Sequence, residues 1–259
     1  GRGWFNRGDA EMFRDLGIML VLLGRVVAAL PRAGRRRRAF AEHLHEIGNA
    51  SLLMASLLSF FIGGVMSLQA GTVLVERGLG SQLGGLVGLS LCKELAPVMM
   101  AILLAGRIGS AMAAELGSMQ VYQEVDALRT MNISPVEFLV LPRVLAFTIA
   151  LPCLVIFANL VGWMGGAVIA AFNQDVAVPV SSFLSNLREM LEPHDILHGL
   201  LKAVVFGIAV STVSCHHGLQ TRGGPRGVGR SVTKAVTNSI VLILLLDYAL
   251  TRLLLPFDT

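Results

Sequence analysis

Three stretches without a charged residue, Ile47 to Val75, Val144 to Gln174 and Ala203 to Thr221, constrain this chain more than anything else in it. At about 1.5 Å of rise per helical residue, each is long enough or nearly so to cross the roughly 30 Å hydrocarbon layer of a bilayer. A segment in lipid must satisfy all its main-chain N–H and C=O groups internally, which a single apolar stretch does as a helix. Two more stretches, Gly78 to Gly106 and Ala235 to Pro256, qualify if they accommodate Lys93 with Glu94 and Asp247 with Arg252. Their apolar flanks leave them no soluble packing surface. The composition agrees, at 54% hydrophobic and 15% charged residues against the roughly 25% charged of soluble domains.

The first fifty residues contain nine Arg and no Lys, four of them in the run Arg35 to Arg38. Between Leu16 and Leu30 lies an apolar stretch broken by Arg25 and preceded by Asp9, Glu11 and Asp15. Acidic residues before the apolar part and an Arg inside it argue against a signal peptide. An interfacial helix whose Arg cluster faces anionic lipid fits better. Because residue 1 is Gly, the native N-terminus is expected to lie upstream. With the N-terminal region inside the cell, the internal segments carry nine, three (Arg107, Arg129, Arg143) and four (Arg222, Arg226, Arg230, Lys234) basic residues, and the external loops one each, Arg77 and Arg188. That asymmetry orients five spans with the N-terminus cytoplasmic and the C-terminus outside.

Between the second and third spans, the segment from Ser118 to Asn132 reads as a short amphipathic helix, with Val121, Val125, Leu128 and Asn132 on one side and Gln123, Glu124 and Asp126 elsewhere. Ser134-Pro135-Val136-Glu137 then supplies an N-cap, a first-turn Pro and an N3 Glu for the next helix. The short helix either rests on lipid or couples to a cytoplasmic partner through Glu124 and Asp126. Outside the membrane, Phe183, Leu184, Leu187, Met190 and Leu191 recur on a helical period, which predicts a second short helix over Pro179 to Leu191. The fold class is thus an all-α membrane protein: an N-terminal interfacial helix region (1–40), then a transmembrane domain (41–259) of about five spans, a cytoplasmic short helix and an external one. Small residues recur every four positions at Gly80, Gly84 and Gly88 and at Ala105, Gly109, Ala113 and Gly117, a pattern that lets helix backbones approach closely, within one subunit or between two.

A charge at the bilayer centre costs about 2.5–3.5 kcal/mol on insertion scales, so each needs a partner or a task. Lys93 and Glu94 lie about ten residues into the second span, near the midplane if that span starts at Leu83, and about 100° apart around the helix. They serve either a headgroup site in an apolar pocket or structural pairs with other helices. Lys202 and Asp247 fall at similar depths on the fourth and fifth spans and read as a structural ion pair, with a proton or cation pathway as the alternative. Arg143 is the candidate partner of Glu115.

Several classes are excluded. No G-x-x-x-x-G-K-[ST] sequence occurs, so the chain is not its own P-loop ATPase, and no nucleophile or zinc-protease arrangement marks it as an enzyme; no catalytic residue is assigned. Cys92, Cys153 and Cys215 read as small buried hydrophobes. Cys215-His216-His217 stands alone, so neither a metal nor a cofactor is expected. The basic residues carry no interleaved aromatics, which argues against a nucleic-acid partner.

The segment LCKELAPVMMAILLAGRIGSAMAAELGSMQVYQEVDALRTMNISPVEFLVLPR resembles the MlaE (YrbE) permease family, whose pattern runs RELGP, AGR-G-A-AELG-M, E-IDAL--M---P---L--PR. Glu94, Leu95, Pro97, Arg107, Gly109, Glu115, Gly117, Glu124, Asp126, Leu128, Pro135, Pro142 and Arg143 are among the matches. The resemblance extends from about Ala41 to Leu255. It implies a permease subunit of an ABC transporter that moves phospholipids or related lipids between a bacterial inner membrane and the outer envelope. Such permeases look like homodimers with a cytoplasmic ABC ATPase, a periplasmic ring of MCE-domain proteins and sometimes a STAS-domain subunit. Carried over by position, Lys93 and Glu94 lie near a lipid cavity that Met66, Gln69, Val73 and Arg77 help to line, and Gln123, Glu124, Asp126 and Leu128 belong to the ATPase-coupling helix. Two departures stand out: Lys93 replaces the family's more usual Arg, offering a point charge instead of a bidentate fork, and Ala96 replaces Gly. An ion-coupled secondary carrier and a non-transporting scaffold are the competing functions.

Overall fold

The computed structural model describes residues 5–31 and 37–254, with side chains for 17–31 and 38–254. The side chains of Asp9, Glu11, Asp15 and Arg35 to Arg37 lie outside that description, and with them most of the expected contact between the Arg run and lipid. Among the described residues there are eight helices and no strand: α1 (Phe5–Ala29), α2 (Arg37–Glu76), α3 (Gly80–Val121), α4 (Glu124–Thr130), α5 (Val136–Phe172), α6 (Val180–Met190), α7 (Pro193–Leu219) and α8 (Gly224–Leu254). Helices α2, α3, α5, α7 and α8 are long and apolar enough to cross a membrane.

Two expectations need correction. The second span does not end near Gly106; α3 continues to Val121, because the small residues beyond Ala105 permit close packing without breaking the helix. Its 42 residues are more than the roughly 20 that a bilayer-spanning helix needs. The short helix after it is also smaller than Ser118 to Asn132. Gln123 takes a left-handed conformation (φ 61°) and Asn132 another (φ 58°), and these two turns confine α4 to Glu124–Thr130.

Long helices α3 and α5 contain π-helical turns with a shared logic. In α3 one such turn is Leu91–Leu95, followed by Ala96 and Pro97, and in α5 it is Val136–Val140, followed by Leu141 and Pro142; a further π turn in α3, Ala105–Gly109, has no proline after it. Proline lacks the N–H that would bond four residues back, and its ring collides with the carbonyl there. Widening the preceding turn by one residue, as in the bond from Ala96 N to Leu91 O, relieves both conflicts.

The residues form two compact units, one of residues up to His45 with Ala105–Phe147 and Ile208–Leu242, the other of Glu46–Leu104, Thr148–Gly207 and the chain from Ile243 onward. In the second unit, α2 presents Ser51, Ala55, Ser59, Gly63, Ser67 and Gly71 at four-residue spacing, all buried. This row meets α5 at Gly162, Gly165 and Gly166: a Cβ on Gly63 would collide with the Gly162 carbonyl, and one on Gly165 with that of Phe60. Close backbone approach replaces the hydrophobic drive that is absent in lipid. The Gly84 and Gly88 row of α3 is covered by α6 within the same chain. A Cβ at Gly84 would meet the Phe183 carbonyl, and one at Gly88 the Leu187 side chain. Phe183 and Leu187 are buried there, whereas Leu184 and Met190 are more than 40% exposed. Asn186 Oδ1 accepts the Gly85 N–H at 2.7 Å, near the point where the 3₁₀ turn Gly80–Gln82 gives way to α-helix at Leu83. In the first unit, Ala105, Gly109, Ala113 and Gly117 are buried, and a Cβ on Gly218 of α7 would press on Ala113 and Leu116.

Candidate functional site

The π turn at Leu91–Leu95 carries both Lys93 and Glu94, and the two side chains enter separate networks. Lys93 Nζ lies 2.8 Å from Asp195 Oδ1. Asp195 is buried and sits on the first turn of α7, where its Oδ2 accepts the Glu192 main-chain N–H at 2.9 Å. That is the reciprocal half of a capping box, with Glu192 at the N-cap, Pro193 at N1 and Asp195 at N3. One carboxylate thus starts a helix and holds a cation. His194 bridges the same group, its Nε2 being 3.3 Å from Asp195 Oδ1 and its Nδ1 3.1 Å from Glu192 Oε2.

Lys202, on α7 and only 2% exposed, uses the three donors of an ammonium on three acceptors: Glu94 Oε2 at 2.6 Å, Asp247 Oδ1 at 3.0 Å and Thr251 Oγ1 at 2.7 Å. The Thr251 hydroxyl also lies 3.1 Å from Glu94 Oε1 and 2.8 Å from the Asp247 carbonyl, and its single proton can serve one of them. Three helices are tied at one cation. The group carries one positive and two negative charges, with Lys202 sealed and the Glu94 side chain 41% exposed. A buried ammonium is tolerable only when its donors are all matched, since the effective penalty of an unpaired buried ion is several kcal/mol.

The other residues assigned to a lipid cavity are placed as follows. Gln69 and Val73 are exposed one turn apart on α2, and Arg77, also exposed, follows four residues later in the turn just past its end. Met66 is half-buried and packs on the cluster that includes Leu83, Val87 and Phe183. Asp195 and Thr251 escaped sequence reasoning. Both had a local signal: Asp195 is the third residue of a helix opened by Glu192-Pro193, and Thr251 follows Asp247 by one helical turn.

In the first unit, Arg143 is 5% exposed and fixes the corner where α5 begins. One terminal nitrogen of its guanidinium donates to Glu115 Oε1 at 2.6 Å and the other to the Leu139 carbonyl at 2.8 Å. The latter acceptor belongs to the π turn before Pro142. Short helix α4 buries Val125, half-buries Leu128 and exposes Glu124 and Asp126, the latter paired with Arg129 at 2.9 Å. Gln123 is exposed but belongs to the turn before α4, not to the helix. Cys92 and Cys215 are buried and Cys153 is exposed. Among the described residues, no three His, Cys, Asp or Glu side chains gather as a metal site requires.

Comparison with known proteins adds a family. The profile described as permease MlaE matches residues 40–253. A Rickettsia prowazekii protein named "Probable ABC transporter permease protein" is 40% identical over 207 residues, covering 80% of this chain and 79% of its own length. A Synechocystis protein of the same description is 35% identical over 252 residues, 97% of this chain and 92% of the relative. The Haemophilus influenzae intermembrane phospholipid transport system permease protein MlaE is 32% identical over 245 residues, 94% of this chain and 93% of that protein.

Proposed function

The chain belongs to the MlaE permease family of ABC transporter permeases, and from that premise we propose that it moves phospholipids between a bacterial inner membrane and the outer envelope while a separate subunit hydrolyses ATP. The observation that carries the reading is the 94% coverage of this chain by a relative named for phospholipid transport. The charges inside the spans support it. Lys93 is partly exposed beside Asp195, so a lipid phosphate can compete for the ammonium while Asp195 keeps its main-chain bond. Glu94 is the accessible arm of the sealed Lys202 network and bounds the same path, with Asp247 and Thr251 behind it. Gln69, Val73 and Arg77 form the wall along α2 and Met66 backs it.

In this reading the N-terminus is cytoplasmic and the C-terminus periplasmic, 41–259 is the permease domain, and α4 is the coupling helix that offers Glu124 and Asp126 to the ATPase. Gln123 sets its start and Leu128 seats it. The working assembly is a homodimer with its ATPase, a periplasmic MCE-domain ring and, in some systems, a STAS-domain subunit. Purification in mild detergent followed by mass spectrometry tests the whole: a co-purifying ABC ATPase and bound phospholipid are expected. A chain that emerges with neither, yet moves lipid in vesicles under a proton gradient alone, overturns the reading in favour of an ion-coupled carrier.

A further inference from the structure

The first unit contains an open-sided cavity of about 590 Å³ bordered by α1, the Ser134-to-Glu137 corner and the end of α7. Helix α1 is seated by a buried row, Leu22, Val26 and Ala29, and packs against Val136–Val140. Along the cavity, Ile18, Leu22 and Ala28 give an apolar wall, faced by Val136 and Leu219. Two guanidiniums, Arg25 and Arg129, stand on the lining with one carboxylate, Glu137, and Gln220 supplies an uncharged amide. One terminal nitrogen of Arg129 is held by Asp126; a guanidinium has five N–H donors in a fork that suits phosphate, so this pairing leaves it a usable edge. The first turn of α5 also opens onto the cavity at Pro135 and Val136, adding the positive end of a long helix dipole.

We propose that this cavity binds the phosphate headgroup of an anionic phospholipid, with the first part of an acyl chain lying against α1. The volume falls in the range of small-molecule sites, and its division into an apolar wall and a polar rim that sets Arg25 and Arg129 beside Glu137 matches an amphiphile better than a soluble metabolite. The lining includes none of Lys93, Glu94 and Lys202, and the inference does not rest on the transport reading. Arg129 belongs to α4 and Arg25 to α1, so a bound headgroup ties the interfacial helix to the short helix and makes the rigidity of that corner depend on lipid composition.

The test is native mass spectrometry of the full-length chain taken from nanodiscs of phosphatidylglycerol mixed equally with phosphatidylcholine. Wild type is expected to retain phosphatidylglycerol in at least about threefold excess. Arg25→Gln with Arg129→Gln should abolish that excess, whereas Arg252→Gln, which removes an exposed charge elsewhere, should leave it. Free glycerol phosphate at millimolar concentration should fail to displace the lipid, because it lacks the chain that α1 covers. Equal retention of the two lipids by wild type, an unchanged excess in the double variant, or displacement by glycerol phosphate would each overturn the proposal.

Discussion

Lys202 and Glu94 are 108 residues apart in sequence and 2.6 Å apart in space, and the Lys202 ammonium bridges Glu94 and Asp247. Replacing Lys202 by Met removes the charge while keeping the bulk, which leaves two carboxylates facing each other. Breaking a buried pair in this way costs about 3–5 kcal/mol, toward the lower end here because Glu94 is partly exposed. Thermal unfolding in detergent should show a large fall for Lys202→Met and substantial recovery when Glu94→Gln and Asp247→Asn are added. A triple variant no more stable than the single would show that the cation has a role other than neutralising this pair.

Lys93 and Asp195 make the second prediction. Asp195→Asn keeps a side-chain acceptor for the Glu192 N–H but no longer neutralises Lys93. The start of α7 should therefore survive, losing about 1 kcal/mol or less as capping variants typically do. The freed ammonium should hold phosphate more tightly, so lipid bound to the purified chain increases and its release slows. Asp195→Ala removes the cap as well and should lower stability further. Equal lipid retention by wild type and Asp195→Asn would take Lys93 out of headgroup binding.

The crossing of α2 and α5 predicts opposite effects for two glycines in one helix. Gly63→Ala drives a methyl into the Gly162 carbonyl, and separating two backbones should cost about 1–3 kcal/mol. Gly48 has open space where its Cβ would go, so Gly48→Ala should be neutral or stabilise by up to about 1 kcal/mol through helix propensity. Unfolding midpoints of the two variants, compared side by side, decide whether close approach or helix propensity dominates along α2.

Much of this architecture could be read from the sequence because its main determinant is local: the apolar runs that become α2, α5 and α7 are uninterrupted, and lipid forces them into helices. Pro97 and Pro142 were visible too, but the π turns that accommodate them were not, since a proline alone does not say whether a helix breaks, kinks or widens. The left-handed turn at Gln123 was hidden for a related reason, because nothing in Tyr122-Gln123 marks it as a helix end. The glycine row of α3 announced close packing without naming its occupant, α6. Partners of the intramembrane charges were legible when depth alone selected them, as for Lys202 and Asp247. Lys93 chose Asp195 and Glu94 joined Lys202 because of the rotation around a π turn, which hydropathy does not encode.

Arg143 anchors the last prediction. Its two terminal nitrogens serve Glu115 and the Leu139 carbonyl, a fork that Lys cannot reproduce from a single nitrogen. Arg143→Lys should therefore loosen the start of α5 by about 1.5–3 kcal/mol, the range for a hydrogen bond to a charged group. Hydrogen exchange should report faster opening at 138–143 with the middle of α5 unchanged. If α4 transmits force from an ATPase, a slack corner absorbs it: hydrolysis continues and lipid movement falls. Glu124→Arg gives the complementary result, since that exposed side chain would repel its partner without disturbing the corner, so ATPase co-purification drops while exchange at 138–143 stays as in wild type. Asp175→Arg, an exposed charge reversal in the loop before α6, should do neither. Loss of ATPase binding in Arg143→Lys together with normal exchange would invert these roles, making Arg143 part of the docking surface instead of the frame behind it.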